Sequence, residues 1–140
     1  MWGDQEIIRG DVKTRTDVFL NAGYKDVVRR ALRPLAGPIA ETFESFGSND
    51  HYERHLVARY PTGGHFLLHR DNLTPATRAR RLAISINLND DYEGGKLTLP
   101  EIGVSIKAPA GAAVVFPGST LHGVREITRG ARYAYLTFIL

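Results

Sequence analysis

The chain contains no cysteine, so disulfide staples, thiolate metal ligands and a cysteine nucleophile are excluded. Any metal chemistry falls to imidazole and carboxylate. No apolar run approaches the length of a membrane span, and Met1-Trp2-Gly3-Asp4 lacks the charged start and apolar centre of a secretory leader. These absences predict a soluble protein of a reducing compartment, the cytoplasm, with no membrane partner. No internal repeat or low-complexity segment is visible. No aromatic-plus-basic surface suited to stacking bases stands out, so no nucleic-acid partner is expected. The formal charge of +3 suits an acidic ligand no better than an ordinary soluble protein. At 140 residues the chain is expected to form one domain, residues 1–140, with room for one core.

Ile7 to Val12 and Thr16 to Leu20 read as short strands or extended arms around Gly10-Asp11. From Tyr24 to Phe46 the apolar positions Val28, Leu32, Leu35, Ile39, Phe43 and Phe46 recur every three or four residues, which predicts a helix with one buried stripe and a stop at Gly47. Pro34 and Pro38 fall inside that stripe, so a break is predicted just before Pro34. Beyond Asp50 the pattern changes to β-branched and aromatic runs separated by Gly, Pro and Asn turns. Strands are predicted near 55–60, 66–70, 82–89, 96–99, 104–107, 112–116, 120–127 and 132–139. Eight such strands after one or two helices fit a mainly β double-sheet jelly roll.

Within this pattern, His69 and Asp71 lie two residues apart on an extended segment, so their side chains point the same way. A third ligand is on offer at His122 in Gly118-Ser119-Thr120-Leu121-His122-Gly123-Val124, and Arg132 follows ten residues later at the start of the last strand. Two imidazoles and one carboxylate on one face, with other positions open, is the ligand set of non-haem Fe(II) oxygenases. The polar run 72–81 beside these ligands is placed to act as a lid or substrate contact.

Leu56-Val57-Ala58-Arg59-Tyr60-Pro61, His69-x-Asp71-Asn72, Ser85-Ile86-Asn87-Leu88-Asn89, Gly94-Gly95-Lys96-Leu97, Val115-Phe116-Pro117, His122-Gly123-Val124 and Gly130-Ala131-Arg132-Tyr133 follow one another in a specific order. With Ile8-Arg9-Gly10-Asp11 before them, the chain resembles the Fe(II)/2-oxoglutarate dioxygenases, in the branch of the prolyl 4-hydroxylases and hypoxia-sensing prolyl hydroxylases. The resemblance implies a double-stranded β-helix with the second and seventh strands side by side, bringing His69, Asp71 and His122 to one Fe(II). It implies that Arg132, on the opposite sheet between the strands of Tyr60 and Asn87, takes the far carboxylate of 2-oxoglutarate. A guanidinium suits that task because it binds a carboxylate through two parallel hydrogen bonds. Tyr60 matches a position whose phenol reaches the same carboxylate. Asn87 stands where the hypoxia-sensing enzymes carry a second tyrosine and is the third residue expected to hydrogen-bond 2-oxoglutarate, and Phe138 replaces their tryptophan, so the pocket's shape is not carried over. Relatives also pair the aspartate of Arg-Gly-Asp with an arginine before the third strand, here Asp11 with Arg80.

The implied reaction consumes oxygen and converts 2-oxoglutarate to succinate and carbon dioxide while a substrate C–H is hydroxylated, with ascorbate as the candidate reductant. Asp71 fills the position that related halogenases leave to chloride, which implies hydroxylation. The best substrate guess is a prolyl residue in a protein or peptide. A free amino acid or small metabolite, an alkylated base, and a non-catalytic jelly-roll module or cupin are the alternatives. The base-repair relatives place their arginine farther beyond the distal histidine than the ten residues seen here, and cupins favour a His-x-His start that Arg70-Asp71 does not supply. Oligomeric state is not legible in the sequence.

Overall fold

The computed structural model describes residues 5–43, 51–53 and 55–140, with the backbone alone for 5–9. Two strands open the chain, β1 (Gln5–Arg9) and β2 (Lys13–Phe19), paired antiparallel across Gly10-Asp11. The helical segment follows as α1 (Lys25–Leu32), a 3-10 turn over Arg33–Leu35, and α2 (Ala36–Thr42). The break before Pro34 falls where the sequence predicts it. Proline fixes φ near the helical value but offers no N–H, so it is tolerated at the start of a new turn and not inside one. The predicted end of the helix at Phe46 and Gly47 lies outside the described residues. Val28, Leu32 and Ile39 pack with Leu82, Ile84, Tyr135 and Ile139, which fixes the helices on the outer face of the sheet.

The remaining strands are β3 (Leu56–Tyr60), β4 (His65–His69), β5 (Leu82–Asn87), β6 (Glu93–Gly94), β7 (Leu97–Leu99), β8 (Val104–Ile106), β9 (Ala113–Pro117), β10 (His122–Val124), β11 (Ile127–Arg129) and β12 (Arg132–Ile139). They form a curled antiparallel sheet in the order β8-β7-β10-β4-β2-β3-β12-β5-β9, with β1 beside β2 and a separate β11-β6 pair. The jelly roll is therefore present, but its two expected sheets are joined. Strand β2 pairs with β3 through residues 16–19 and with β4 through Lys13 and Thr14, so its two ends reach one partner each. The two halves face each other over Leu56, Ala58, Tyr60, Leu97, Leu99, Phe116 and Val124.

One predicted strand, 120–127, is divided. Ile127 exchanges backbone hydrogen bonds with the Gly63-Gly64 turn, Gly63 N–H to Ile127 O at 2.8 Å and Ile127 N–H to Gly64 O at 3.0 Å. That exchange draws the chain off the β10 path and onto β6. Gly94 makes the crossing possible, because its φ is +75° and a Cβ there would lie 2.3 Å from the Glu126 carbonyl oxygen.

On β12 the even positions Arg132, Leu136 and Phe138 line the interior cleft while Tyr135 and Ile139 meet the helices, as strand alternation requires. Tyr135 reaches back to His55, whose Nδ1 lies 2.5 Å from the phenol oxygen. Burial pushes the phenol up, so Tyr135 stays protonated and donates. Burial also holds His55 below the ordinary imidazole range. The fold thus favours uncharged His55, whereas the unfolded chain takes up a proton near pH 6.5. The resulting stabilisation is complete above the unfolded pKa and is lost as the pH falls toward the folded one. Urea unfolding of the metal-free protein should show stability declining below about pH 6.5, with a shallower decline in His55→Gln. An identical pH profile in the variant would remove His55 from this role.

Candidate active site

His69 ends β4 and His122 begins β10, and the two are register partners across that antiparallel pair. The Asp71 N–H donates to the Gly118 carbonyl at 2.9 Å, which brings its carboxylate back over the two strands. Gly118 must be glycine for this approach, since a Cβ would sit 2.2 Å from the Arg80 carbonyl oxygen. The three ligand atoms lie within 4.8 Å of one another. His69 Nε2 is 3.2 Å from Asp71 Oδ1, and His122 Nε2 is 3.3 Å from Asp71 Oδ2.

The far sides of both rings define what the near sides can do. His69 Nδ1 lies 2.7 Å from the Leu67 carbonyl and His122 Nδ1 lies 2.9 Å from that of Thr120. A carbonyl only accepts, so each Nδ1 carries a proton, and it is Nε2 of each ring that is turned toward the carboxylate and is available as a ligand atom. Two imidazole nitrogens and a carboxylate converging at this distance suit a shared cation. For His122 that cation is not a proton held by the imidazole, because burial lowers its pKa despite the opposing effects of Asp71 and the Thr120 carbonyl. Phe66 stacks on His69 at 3.7 Å with 13° between the rings, and Phe116 packs on His122 at 4.6 Å, so both orientations are fixed from behind. This donor set fits a divalent metal that takes two imidazoles and a carboxylate.

A clasp outside the ligands joins the strands that carry them. Arg70 donates from Nη1 and Nη2 to the two oxygens of Glu101 at 2.7 and 2.9 Å, and from Nη1 to the Ser119 carbonyl at 2.6 Å. Glu101 Oε1 also accepts from the Leu121 N–H at 3.4 Å. Arg70→Ala should lower metal affinity by a factor in the roughly 10–100 range of groups that orient ligands, while thermal stability changes little because the pair is partly exposed. Chelator competition read beside a melting curve checks this. Unchanged metal affinity would show that the clasp does not orient the ligands.

The ligands open into a cavity of about 360 Å³, and Arg132 and Tyr60 line it opposite the histidines. These two residues are register partners on β12 and β3, both buried, with the guanidinium carbon 5.2 Å from the phenol ring centre. Arg132 Nε donates to Asn87 Oδ1 at 3.0 Å. The Asn87 amide nitrogen donates to Tyr92 Oη and to the Ala108 carbonyl, both at 2.8 Å. The expected contact of Asn87 with 2-oxoglutarate is therefore not offered: both ends of its amide are engaged within the protein, and it sits one step behind Arg132, holding its Nε. Nη1 and Nη2 of Arg132 have no hydrogen-bond partner among the described residues, so a buried cation faces the cavity with both prongs available to a carboxylate.

The expected Asp11–Arg80 pair is not formed. Arg80 instead forks onto Glu53, Nε to Oε1 at 2.9 Å and Nη2 to Oε2 at 2.7 Å, and lies 4.0 Å over Phe138. Glu53 reaches this position because its N–H is held by the Phe138 carbonyl. Asp11 is exposed, and its carbonyl accepts from His65 Nε2 at 2.8 Å. The loop 72–81 is thus tied to residues 51–53 rather than to the β1–β2 turn.

Two cavity residues escape a reading by motif. Arg15 and Asp17 on β2 are buried in the wall, Arg15 Nη1 donating to Tyr60 Oη at 2.8 Å and Nη2 to Asp17 Oδ2 at 3.1 Å. The signal was present as alternation, since Lys13, Arg15, Asp17 and Phe19 occupy one face of a strand and all line the cavity.

A jelly roll holding two histidines and an aspartate around one point, with a buried arginine across the cleft, offers a candidate mononuclear metal site beside a candidate anion site. The chain belongs to the 2OG-Fe(II) oxygenase superfamily, whose family pattern matches residues 55–140. That family takes its name from the two groups these sites would hold, iron and 2-oxoglutarate. A PKHD-type hydroxylase of Paraburkholderia phymatum is 45% identical over 89 residues, covering 56% of this chain and 39% of the relative. Another from Maricaulis maris is 35% identical over 116 residues, covering 80% of this chain and 51% of that protein. The chain thus spans about half the length, or less, of these curated relatives. Among solved structures, the viral collagen prolyl hydroxylase of Paramecium Bursaria Chlorella virus-1 shares the fold with a TM-score of 0.77 at 18% identity, over 92% of this chain and 80% of that one. No helix among the described residues is long and apolar enough to cross a membrane.

Proposed function

We propose that the chain is an Fe(II)- and 2-oxoglutarate-dependent dioxygenase that hydroxylates a prolyl residue in a protein or peptide. The observation that carries this reading is the pairing of the His69, Asp71 and His122 donor set with the buried Arg132 across one cavity. His69, Asp71 and His122 would hold the iron, and Arg132 with Tyr60 would hold the far carboxylate of 2-oxoglutarate. When bound together with oxygen, these groups supply the oxidising equivalent for C–H hydroxylation and release succinate and carbon dioxide. The protein's own part is to fix the tautomer of both imidazoles through their carbonyl partners, so that Nε2 faces the metal site, to aim Arg132 through Asn87, and to shield the centre with Phe66, Phe116 and Phe138. Cytoplasmic reducing conditions, with ascorbate as reductant, would keep the iron in its ferrous state.

Two observations favour a peptide over a small metabolite. The relatives at 45% and 35% identity are named as PKHD-type hydroxylases, and the viral enzyme that shares the fold is named as a collagen prolyl hydroxylase, whose substrate is a polypeptide. The cavity wall also includes Thr74, Thr77 and Arg80 of the 72–81 loop, a border under which an extended chain can lie. Purified protein with Fe(II), 2-oxoglutarate, oxygen and ascorbate should form succinate in step with the gain of one oxygen on a proline-containing peptide. Turnover of free amino acids, with no activity on any proline peptide, would overturn the substrate assignment and leave the oxygenase assignment standing.

A further inference from the structure

We propose that Arg15, held by Asp17, is a positioning residue that leaves the Tyr60 phenol able only to donate toward the cavity, and so completes the site for the far carboxylate of 2-oxoglutarate. The inference rests on the reading that Arg132 and Tyr60 take that carboxylate.

A guanidinium has five donors and no acceptor, so in the 2.8 Å contact between Arg15 Nη1 and Tyr60 Oη the phenol oxygen accepts. The single phenolic hydrogen must then point elsewhere. Its other charged neighbour, Arg132, lies 5.2 Å from the ring centre and likewise offers no acceptor. Tyr60 is 1% exposed, so bulk water does not take the hydrogen. What remains is the cavity that Tyr60 lines, where the hydrogen is available to an oxygen of a bound ligand. A hydrogen bond accepted from a cation also polarises the O–H and strengthens its donation. Phenol and Arg132 Nη groups together then present donors from two adjacent strands, which is what a carboxylate with two oxygens requires.

Asp17 makes this arrangement rigid. Its Oδ2 accepts from Arg15 Nη2 at 3.1 Å, and its Oδ1 approaches Nε to 2.6 Å. That second contact is off the N–H direction, so it acts as an ionic contact and not as a hydrogen bond. The guanidinium carbon lies 5.1 Å from the Phe66 ring centre, and Phe66 in turn stacks on His69. One side chain therefore touches the supports of both the anion site and the metal site. As a purely structural device a buried ion pair has little to offer, because apolar residues of similar size are often as stable or more so. The same fact makes the double variant Arg15→Met/Asp17→Leu suitable for a test, since it leaves neither charge buried alone.

The measurement is calorimetric binding to the Mn(II)-loaded protein, which avoids turnover, with two ligands. One is 2-oxoglutarate; the other is 2-oxobutanoate, which keeps the 2-oxo acid and lacks the far carboxylate. Arg15→Met/Asp17→Leu should lose roughly 10–100-fold in affinity for 2-oxoglutarate, the range for a hydrogen bond to a charged group, and keep its affinity for 2-oxobutanoate. In a Tyr60→Phe background the same pair of substitutions should add no further loss. Arg15→Lys, which restores a cation with fewer donors, should recover part of the affinity. Unchanged 2-oxoglutarate affinity, or losses that add fully in the Tyr60→Phe background, would overturn the proposal for Arg15. If Arg132→Met and Tyr60→Phe themselves leave 2-oxoglutarate affinity intact, the underlying carboxylate reading fails instead.

Discussion

Replacing Asp71 with alanine should abolish iron binding and hydroxylation while the chain still folds. Asp71 is the only carboxylate in the three-ligand cluster, and its two oxygens separate the two Nε2 atoms at 3.2 and 3.3 Å. Without it two neutral imidazoles remain and no anionic group offsets the metal's charge. The loss should exceed the roughly 10–100-fold that removal of an outer supporting group costs. The fold should survive because its two apolar clusters, around Leu56, Ala58 and Phe116 and around Leu32, Ile84 and Ile139, do not include Asp71. Asp71 is also expected to set the reaction type. His69, Asp71 and His122 would together hold the metal, and Asp71 would fill the position that related halogenases leave to chloride, so hydroxylation without chloride dependence is expected. Metal titration of wild type and Asp71→Ala, with product analysis in chloride-containing buffer, checks both points. Full activity in the variant, or chlorinated product from the wild type, would contradict the assignment.

The second large effect is expected at Arg132. Arg132→Ala should weaken 2-oxoglutarate binding by about 2–5 kcal/mol, the range for removing one partner of a buried charged pair, and leave metal affinity nearly intact. Arg132 is 3% exposed, and its aim is fixed by the 3.0 Å bond to Asn87, so a mobile lysine elsewhere does not substitute for it. Asn87→Ala should act in the same direction with a smaller effect, because it removes the support and not the charge. Equal 2-oxoglutarate affinity in wild type and Arg132→Ala, measured by titration, would take Arg132 out of the role.

Elements with a local signature were legible in the sequence. The helix break appears at Pro34 because proline's missing N–H is a property of one residue. Strands β3, β4, β5, β9 and β12 follow runs of β-branched and aromatic residues bounded by turn residues. The cluster of His69, Asp71 and His122 follows in part from the pairing of β4 with β10, which the family resemblance implied; Asp71, expected on the same strand as His69, lies in the turn beyond β4 and is brought to the histidines by its N–H bond to Gly118. What could not be read depends on long-range geometry. The joining of the two sheets by β2 requires knowing which strands its ends meet. The partner of Arg80 is Glu53 and not Asp11, a choice made by a backbone bond from Glu53 to Phe138 that spacing does not encode. Asn87 could be placed on the strand beside Arg132, but its place behind the arginine emerges only from the contacts of its amide with Tyr92 and Ala108. Arg15 and Asp17 look like solvated charges on an arm until β2 is seen to form a wall of the cleft.

The central claim, that one cavity holds Fe(II) and 2-oxoglutarate together, is tested most directly by visible absorption under oxygen exclusion. A 2-oxo acid chelated to Fe(II) produces a metal-to-ligand charge-transfer band that neither component shows alone. The wild-type protein should develop this band only when Fe(II) and 2-oxoglutarate are both present, and Asp71→Ala should not. A folded wild-type protein that binds Fe(II) yet shows no band at saturating 2-oxoglutarate would contradict the account.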